Sequence, residues 1–360
     1  MAFDATSDPL VTVALSAGVG ALAATAALAV SIVVARLRLI YRTSVERRVA
    51  VRWNPLVAQC AESVPLALPR VSGRELEAFL ILWCRGLESL RGQAQENLRE
   101  LARRLAIEPR LEKLLGSGRL RMQLLAVLCL GHLRSRDAIP MLLTLVREAP
   151  SVISQIAARA LLRIDAELAL PHVLEAIASR DDWSLARIVP AFGECDPAKV
   201  DPVLAAAIGT ELAKERRGIR AGGTARLLRL HVAASGPAYR EALLQVLAHA
   251  ESASALIAAL AAISHPEDIE HARRFLGHAH WPVRAAAART LGRLGAAQDF
   301  AGLREALADR HRWVRHRAAE ALCALPGADR AQLAALANGG LSDRFAADML
   351  RQVLAEGATP

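Results

Sequence analysis

An all-α solenoid with an N-terminal transmembrane helix is the fold class this sequence predicts, and three observations carry the prediction. A hydrophobic seam at Val283, Ala287, Ala288, Leu291 and Leu294 returns 31 residues later as Val314, Ala318, Ala319, Leu322 and Leu325. The chain is 53% hydrophobic but 4% aromatic, dominated by the helix formers Ala, Leu and Arg, and β-branched alternation bounded by turn residues is scarce. From Leu10 to Ala35 there is no charged residue. A seam with helical spacing that recurs at a fixed period denotes stacked helix pairs, because one pair cannot bury its apolar face alone.

The N-terminal run, LVTVALSAGVGALAATAALAVSIVVA, is longer than the ~20 apolar residues that cross a bilayer core. A cleaved signal peptide would have a basic flank and a shorter apolar core; here the residues before the run include Asp4 and Asp8 and no base. After it come Arg36, Arg38, Arg42, Arg47, Arg48 and Arg52, opposed by Glu46. That asymmetry predicts residues 1–9 as a short extracytoplasmic tail, 10–35 as the span, and a cytoplasmic remainder. Arg36, Arg38, Arg42, Arg47 and Arg48 are expected to contact anionic lipid head groups, each contributing about 1 kcal/mol near such a surface. Small residues four apart, at Ser16, Gly20 and Ala24 and at Ala17, Ala21, Thr25 and Ala29, would allow weak homodimerisation through the span.

Residues 36–72 read as a basic juxtamembrane segment and linker. Asn54-Pro55 is predicted to end any continuation of the membrane helix, since the residue before a proline avoids the α region. Pro65 and Pro69 keep 61–70 irregular. Residues 73–118 read as an N-terminal helical cap, opened by Ser72-Gly73 with Glu75 and Glu77 in the first turn and continued by QENLRELARRLAI and PRLEKLL.

Residues 119–356 hold the repeats. Earlier copies of the seam read Met122/Ala126/Val127/Leu130/Leu133 and Ile153/Ala157/Ala158/Leu161/Ile164, then a poor one at Ser184/Ile188/Val189/Phe192/Cys195. Ile219/Gly223/Thr224/Leu227/Leu230 and Ser252/Leu256/Ile257/Leu260/Ile263 follow, and Phe345, Met349, Leu350 and Val353 begin a truncated last copy. Second helices lie between, at Ile139–Leu145, Leu170–Ile177 and Phe300–Leu307. Alanines four and five residues into the seam permit the close helix approach that a core with few aromatics requires.

DRHRWVRHRAAEALCALPG and WPVRAAAARTLGRLG resemble HEAT repeats of the short, phycobilin-lyase-like type, with an Asp in the turn, a Val-Arg opening, an Ala-Ala pair and a Leu-Gly-x-Leu ending. The resemblance covers roughly Leu120–Glu356 and implies a right-handed α-solenoid of HEAT-like helix pairs. With the span and its basic flank, the chain resembles bacterial membrane-anchored HEAT-repeat proteins. That likeness implies a non-enzymatic scaffold in the bacterial inner membrane, N-terminus out and repeats cytoplasmic, in some members beside envelope or polysaccharide machinery.

Enzymatic alternatives within HEAT-like families leave their own marks. Deoxyhypusine hydroxylases carry His-Glu pairs, whereas Arg315-His316-Arg317 stands in that place here and no His-Glu dipeptide occurs. His265, Glu267, Glu270, His271, His278 and His280 meet no zinc-site spacing and read as solvated turn and helix-end residues. Trp281, Trp313 and Asp309 beside Arg310, Arg312, Arg315 and Arg317 superficially suit a nucleic-acid surface like that of HEAT-like DNA glycosylases, but the two Trp fall just before successive seams and predict packing between repeats. Bilin lyase activity or an enzyme-accessory role is implied by the repeat type alone. No P-loop, GxSxG, HExxH or dinucleotide fingerprint is present, and Cys60, Cys84, Cys129, Cys195 and Cys323 form no CxxC. No cofactor, metal or nucleic-acid partner is expected.

The net charge of +9 is carried almost wholly by arginine. Arg163, Arg229 and Arg293 stand ten residues into their seams, and Arg159 and Arg289 six. In HEAT repeats the Val-Arg helix typically lines the inner surface, so these five are the candidate residues for binding a protein partner through acidic groups. The competing reading is that they pair with Glu and Asp of neighbouring helices.

Overall fold

The structure, a computed structural model, describes residues 9–219, 222–234 and 237–357, and among them every regular element is helical. The expected extracytoplasmic tail, but for Pro9, lies outside the described residues. The chain divides into two compact units, Met1–Leu133 and Arg134–Pro360.

In the first unit the charge-free run and the arginines after it form one helix, α1 (Pro9–Gln59), whose 51 residues extend about 76 Å at 1.5 Å each. It is the one helix among the described residues long and apolar enough to cross a membrane. From Val13 to Ser44 every described side chain is exposed. Beyond that, Val45, Val49, Trp53 and Cys60 are buried on one face. That face packs on α2 (Leu76–Ser89), where Trp53 meets Phe79 edge-on at 4.6 Å between ring centroids.

The predicted stop at Asn54-Pro55 is therefore wrong: α1 runs through Pro55 to Gln59. A proline inside a helix removes a backbone donor and costs about 3 kcal/mol. The residues beyond it repay that locally. Val57 lies against Gly86, where a Cβ would stand 3.3 Å from its Cγ1, and Asn97 Nδ2 donates to the Cys60 carbonyl at 3.0 Å. The linker from Ala61 to Gly73 then has no regular structure, as Pro65 and Pro69 require.

α3 (Gln93–Arg104), α4 (Glu108–Leu115) and α5 (Leu120–Leu133) complete this unit. Its core is Phe79, Leu80, Trp83, Leu87, Leu98 and Leu101, with Trp83 Nε1 donating to the Leu98 carbonyl at 2.8 Å. Buried Arg99 is satisfied by the His132 carbonyl, Glu96 and Gln95. Cys84 and Cys129 bring their sulfurs to 3.4 Å, a contact that no short sequence motif announces.

The second unit contains α6 (Ile139–Glu148), α7 (Ser151–Ile164), α8 (Ala166–Ser179), α9 (Leu185–Phe192), α10 (Pro197–Arg216), α11 (Gly223–Ala234) and α12 (Arg240–His249). α13 (Ala253–Ala262), α14 (Ile269–Phe275), α15 (Trp281–Leu294), α16 (Phe300–Ala306), α17 (Arg312–Ala324), α18 (Arg330–Ala335) and α19 (Arg344–Glu356) follow. The odd-numbered helices from α7 to α19 form one layer in which each touches the next. α6, α8, α10 and α12 make a second layer, and α14, α16 and α18 pair with α15, α17 and α19.

The seam enters each first-layer helix at a fixed place. Ile153, Val283 and Val314 are buried three residues after the N-cap positions Pro150, His280 and His311. The same rule places the seam at Ala255 after Ser252 and at Ala346 after Asp343, and both are buried. The sequence assignments Ser252 and Phe345 are thus corrected: Ser252 accepts from the Ala255 N–H as a cap, and Phe345 is 66% exposed. Ile219 is also out of register. It is 65% exposed ahead of α11, whose buried face starts at Gly223, because the 20-residue α10 carries the turn further along the chain.

Charged clasps join successive repeats between α12 and α17. Arg284 grips Asp309 through two bonds of 2.6 and 2.8 Å while donating to the His278 and Ala279 carbonyls. Arg240 reaches Asp268, and Arg273 reaches Asp299; both carboxylates are buried. Burial works against the Asp299 and Asp309 carboxylates, yet hydrogen bonds from Arg273 and Ala296, and from Arg284 and His311, hold both below the usual aspartate range.

α15 and α17 approach most closely at Gly292, where a Cβ would lie 2.6 Å from the Ala321 Cα. Replacing a helical glycine by alanine ordinarily gains about 1 kcal/mol. Here Gly292→Ala should instead destabilise by about 1–3 kcal/mol through overpacking, read as a lower melting temperature. A melting temperature that holds or rises would mean the two helices sit further apart.

Candidate interaction surface

The corrected register regroups the five candidate arginines. Counted from Ile153, Gly223 and Val283, Arg159, Arg229 and Arg289 share the sixth position, on α7, α11 and α15, while Arg163 and Arg293 hold the tenth. Exposure follows position within the helix, since residues opposite the seam face solvent.

Two of the five share one carboxylate inside the fold. Arg159 and Arg163 converge on Glu194 beyond α9, at 2.6 Å each, with a second Arg163 bond at 3.0 Å. Partial burial raises the Glu194 pKa, but the hydrogen bonds from Arg163 and Arg159 outweigh it and lower it to about 2. This end of the ladder follows the pairing alternative.

The other three differ. Arg293 donates to the Ala261 and Ile263 carbonyls and so closes the C-terminal end of α13. Arg229 and Arg289 are exposed and, among the described residues, have no hydrogen bond or ion pair. Arg289 and Arg293, joined by Arg317, rim a cavity of about 290 Å³ floored by Ile257, Ala261, Ala285 and Ala286. Three consecutive first-layer helices build it: α13, α15 and α17. Arg317 is itself tethered to Glu320 at 2.6 Å.

Chemically this is a small apolar dent under a guanidinium fork. It is near the lower limit for small-molecule pockets, about 300 Å³. It matches a peptide side chain or two, with a carboxylate or phosphate at the rim to accept from Arg289.

The other sequence candidates fall as follows. Trp281 stacks on His311 of the next repeat at 3.7 Å and is 38% exposed, so packing between repeats holds for it only in part. Trp313 departs from that expectation. It is 44% exposed, under Arg312 at 4.8 Å, with contacts to its own helix. Among the described residues no three His, Cys, Asp or Glu side chains converge as a metal-binding group. Of the juxtamembrane arginines, Arg36, Arg38 and Arg47 are exposed, Arg42 pairs with Glu46 and Glu77, and Arg48 donates to the Ser44 carbonyl.

Glu194 was missed from sequence, and Arg317 was weighed there only as part of a nucleic-acid surface, not beside Arg289 and Arg293. Glu194 had a signal: it stands 31 residues after Arg163, one repeat length on.

Comparison with known proteins agrees with the repeat assignment over part of the chain. Residues 240–323 match the family model described as HEAT repeats. Among solved structures, an engineered protein aligns over 79% of this chain and 87% of its own length, at 19% identity and a TM-score of 0.29. No match was found among curated proteins.

Glu194 offers a pH test with a definite sign. Its folded pKa of about 2 lies below the ordinary 4.5, so its contribution is present above 4.5 and fades as pH falls toward 2. Because the carboxylate is about a third exposed, the contribution is screened to roughly 1 kcal/mol or less. Glu194→Gln should lower the melting temperature slightly at pH 7, with the gap from wild type closing between pH 4.5 and 2. A gap constant across that range would place the Arg159/Arg163–Glu194 contact outside the folded state in solution.

Proposed function

We propose that this chain is a membrane-anchored protein-interaction scaffold, tethered by α1 and presenting its HEAT-repeat surface to a partner protein in the cytoplasm. The observation that carries the reading is the dent rimmed by Arg289, Arg293 and Arg317, open on a face built by three successive repeats. HEAT repeats over residues 240–323 support a scaffold fold, and an exposed, charge-free length of α1 supports the anchor.

The partner's chemistry follows from the surface. Arg229 and Arg289 keep their guanidinium groups free of internal carboxylates, so an acidic segment is the matching ligand. Arg159 and Arg163 contribute less, since Glu194 already holds them. The anchor would confine encounters to a membrane surface, which raises the effective concentration of any partner held there. The basic flank from Arg36 to Arg52 supports a topology with the N-terminus outside and the repeats inside, and the resemblance to bacterial membrane-anchored repeat proteins supports the inner membrane as its place.

Two measurements check this. A reporter fused after Pro360 should be active as a cytoplasmic fusion and silent as a periplasmic one; the reverse sinks the topology. Crosslinking from intact membranes followed by mass spectrometry should recover a partner with the wild type and lose most of it with Arg229→Glu/Arg289→Glu. Unchanged crosslinks would remove these two arginines from the binding surface.

A further inference from the structure

Five cysteines are spread along the chain, and the fold brings two of them together. Cys84 of α2 and Cys129 of α5 stand 45 residues apart in sequence, yet their sulfurs lie 3.4 Å from each other inside one compact unit. Among the described residues no other two cysteines touch. Cys60 is buried on α1, Cys195 donates to the Ala191 carbonyl, and Cys323 is exposed on α17. Packing as a small hydrophobe accounts for Cys84 or Cys129 singly. Their juxtaposition is chemically richer, because two thiols in contact can exchange a bond that neither can make alone.

The two thiols differ in access. Cys84 is half-buried, on a helix turn that also carries the exposed Arg85 and Glu88. Cys129 is fully buried. Burial first, and the hydrogen bond with Cys84 second, push the Cys129 thiol well above the ordinary cysteine range, so it offers no thiolate to a reagent from solvent. An oxidant therefore meets Cys84, with Cys129 directly behind it. That order separates an oxidisable thiol from a resolving one. A sulfur–sulfur bond is about 2.05 Å long, so the pair must close by about 1.4 Å. α2 and α5 already pack on each other, which leaves the closure to side-chain rotation and a small helix shift.

We propose that Cys84 and Cys129 are a peroxide-responsive thiol pair, in which Cys84 takes the oxidant and Cys129 closes a disulfide between α2 and α5. The Cys84 sulfur takes one oxygen from hydrogen peroxide, giving a sulfenic acid and one water. The Cys129 sulfur then attacks the Cys84 sulfur. The S–O bond breaks, the hydroxyl leaves with the Cys129 proton as a second water, and the S–S bond remains. Two thiols are oxidised by two electrons and one peroxide is reduced. The link fastens α2, on which α1 packs, to α5, the last helix of the unit, and it narrows the unfolded ensemble by closing a long loop.

The full-length chain, purified reduced in a non-ionic detergent and freed of reductant, is treated with hydrogen peroxide, alkylated and mapped by non-reducing peptide mass spectrometry. The expected product is a Cys84–Cys129 linked peptide, reversed by dithiothreitol and about tenfold or more above any other cysteine pairing. The same chain unfolded in denaturant before treatment should lose that preference; a preference that persists there would overturn the assignment to the fold. Cys129→Ala should leave Cys84 as a sulfenic acid that dimedone traps, and Cys84→Ala should leave Cys129 reduced. The wild-type map decides the matter even if a buried alanine unsettles the unit. Cys84 carried to sulfinic acid with Cys129 untouched, Cys84 paired with Cys60 or Cys323, or Cys84 left reduced by peroxide would each overturn the proposal. The oxidised chain should melt several degrees above the reduced one. An equal or lower melting temperature with the link formed would mean the sulfurs meet only by distorting α2 and α5, which sinks the built-in pair.

Discussion

The second unit depends on how closely its first-layer helices approach one another. Alanines and Gly292 at the interface remove side-chain bulk, so α15 and α17 meet almost backbone to backbone. Such packing gains dispersion energy along the whole helix length but leaves little bulky apolar contact to fix the angle between successive repeats. The Arg–Asp clasps supply what the alanines lack. Arg240–Asp268, Arg273–Asp299 and Arg284–Asp309 each bind one repeat to its successor through directional bonds near the core edge. A pair whose carboxylate is buried or nearly so contributes little net energy when intact and penalises any arrangement that separates it, so its role is to specify geometry.

That division explains what was legible in the sequence. Seam positions at Val283 and Val314 were readable because every seam residue there is apolar and its period is regular. Ser252, Phe345 and Ile219 misled for physical reasons. A cap serine, an exposed aromatic and a turn displaced by a long helix all mimic the helical period without being buried. The candidate arginines were visible from their spacing, but their neighbours were not, since Glu194 and Arg317 belong to other repeats and only the folded chain brings them near. Pro55 was misread because a local rule was applied where tertiary contacts at Val57 and Cys60 prevail.

The two sets of arginines on this protein have opposite relations to their surroundings. Those that join repeats are buried or shared with carboxylates, and they hold structure. Arg229, Arg289, Arg47 and Arg85 are spared such partners although aspartates and glutamates are plentiful in the chain. An unpaired surface guanidinium is inexpensive in water, and it stays available to a carboxylate or phosphate arriving from outside.

The unbroken course of α1 through Pro55 has one further consequence. A helix advances about 100° per residue, so a rigid shaft shared by an apolar stretch and a folded unit locks the azimuth of that unit to the apolar face. Adding or removing a single residue between Tyr41 and Ser44 would swing the first unit by about 100° around the axis, whereas the same change in the irregular 61–73 linker would leave that phase untouched. The helix thus behaves as a keyed axle, in which rotation, as well as distance, is set by residue count.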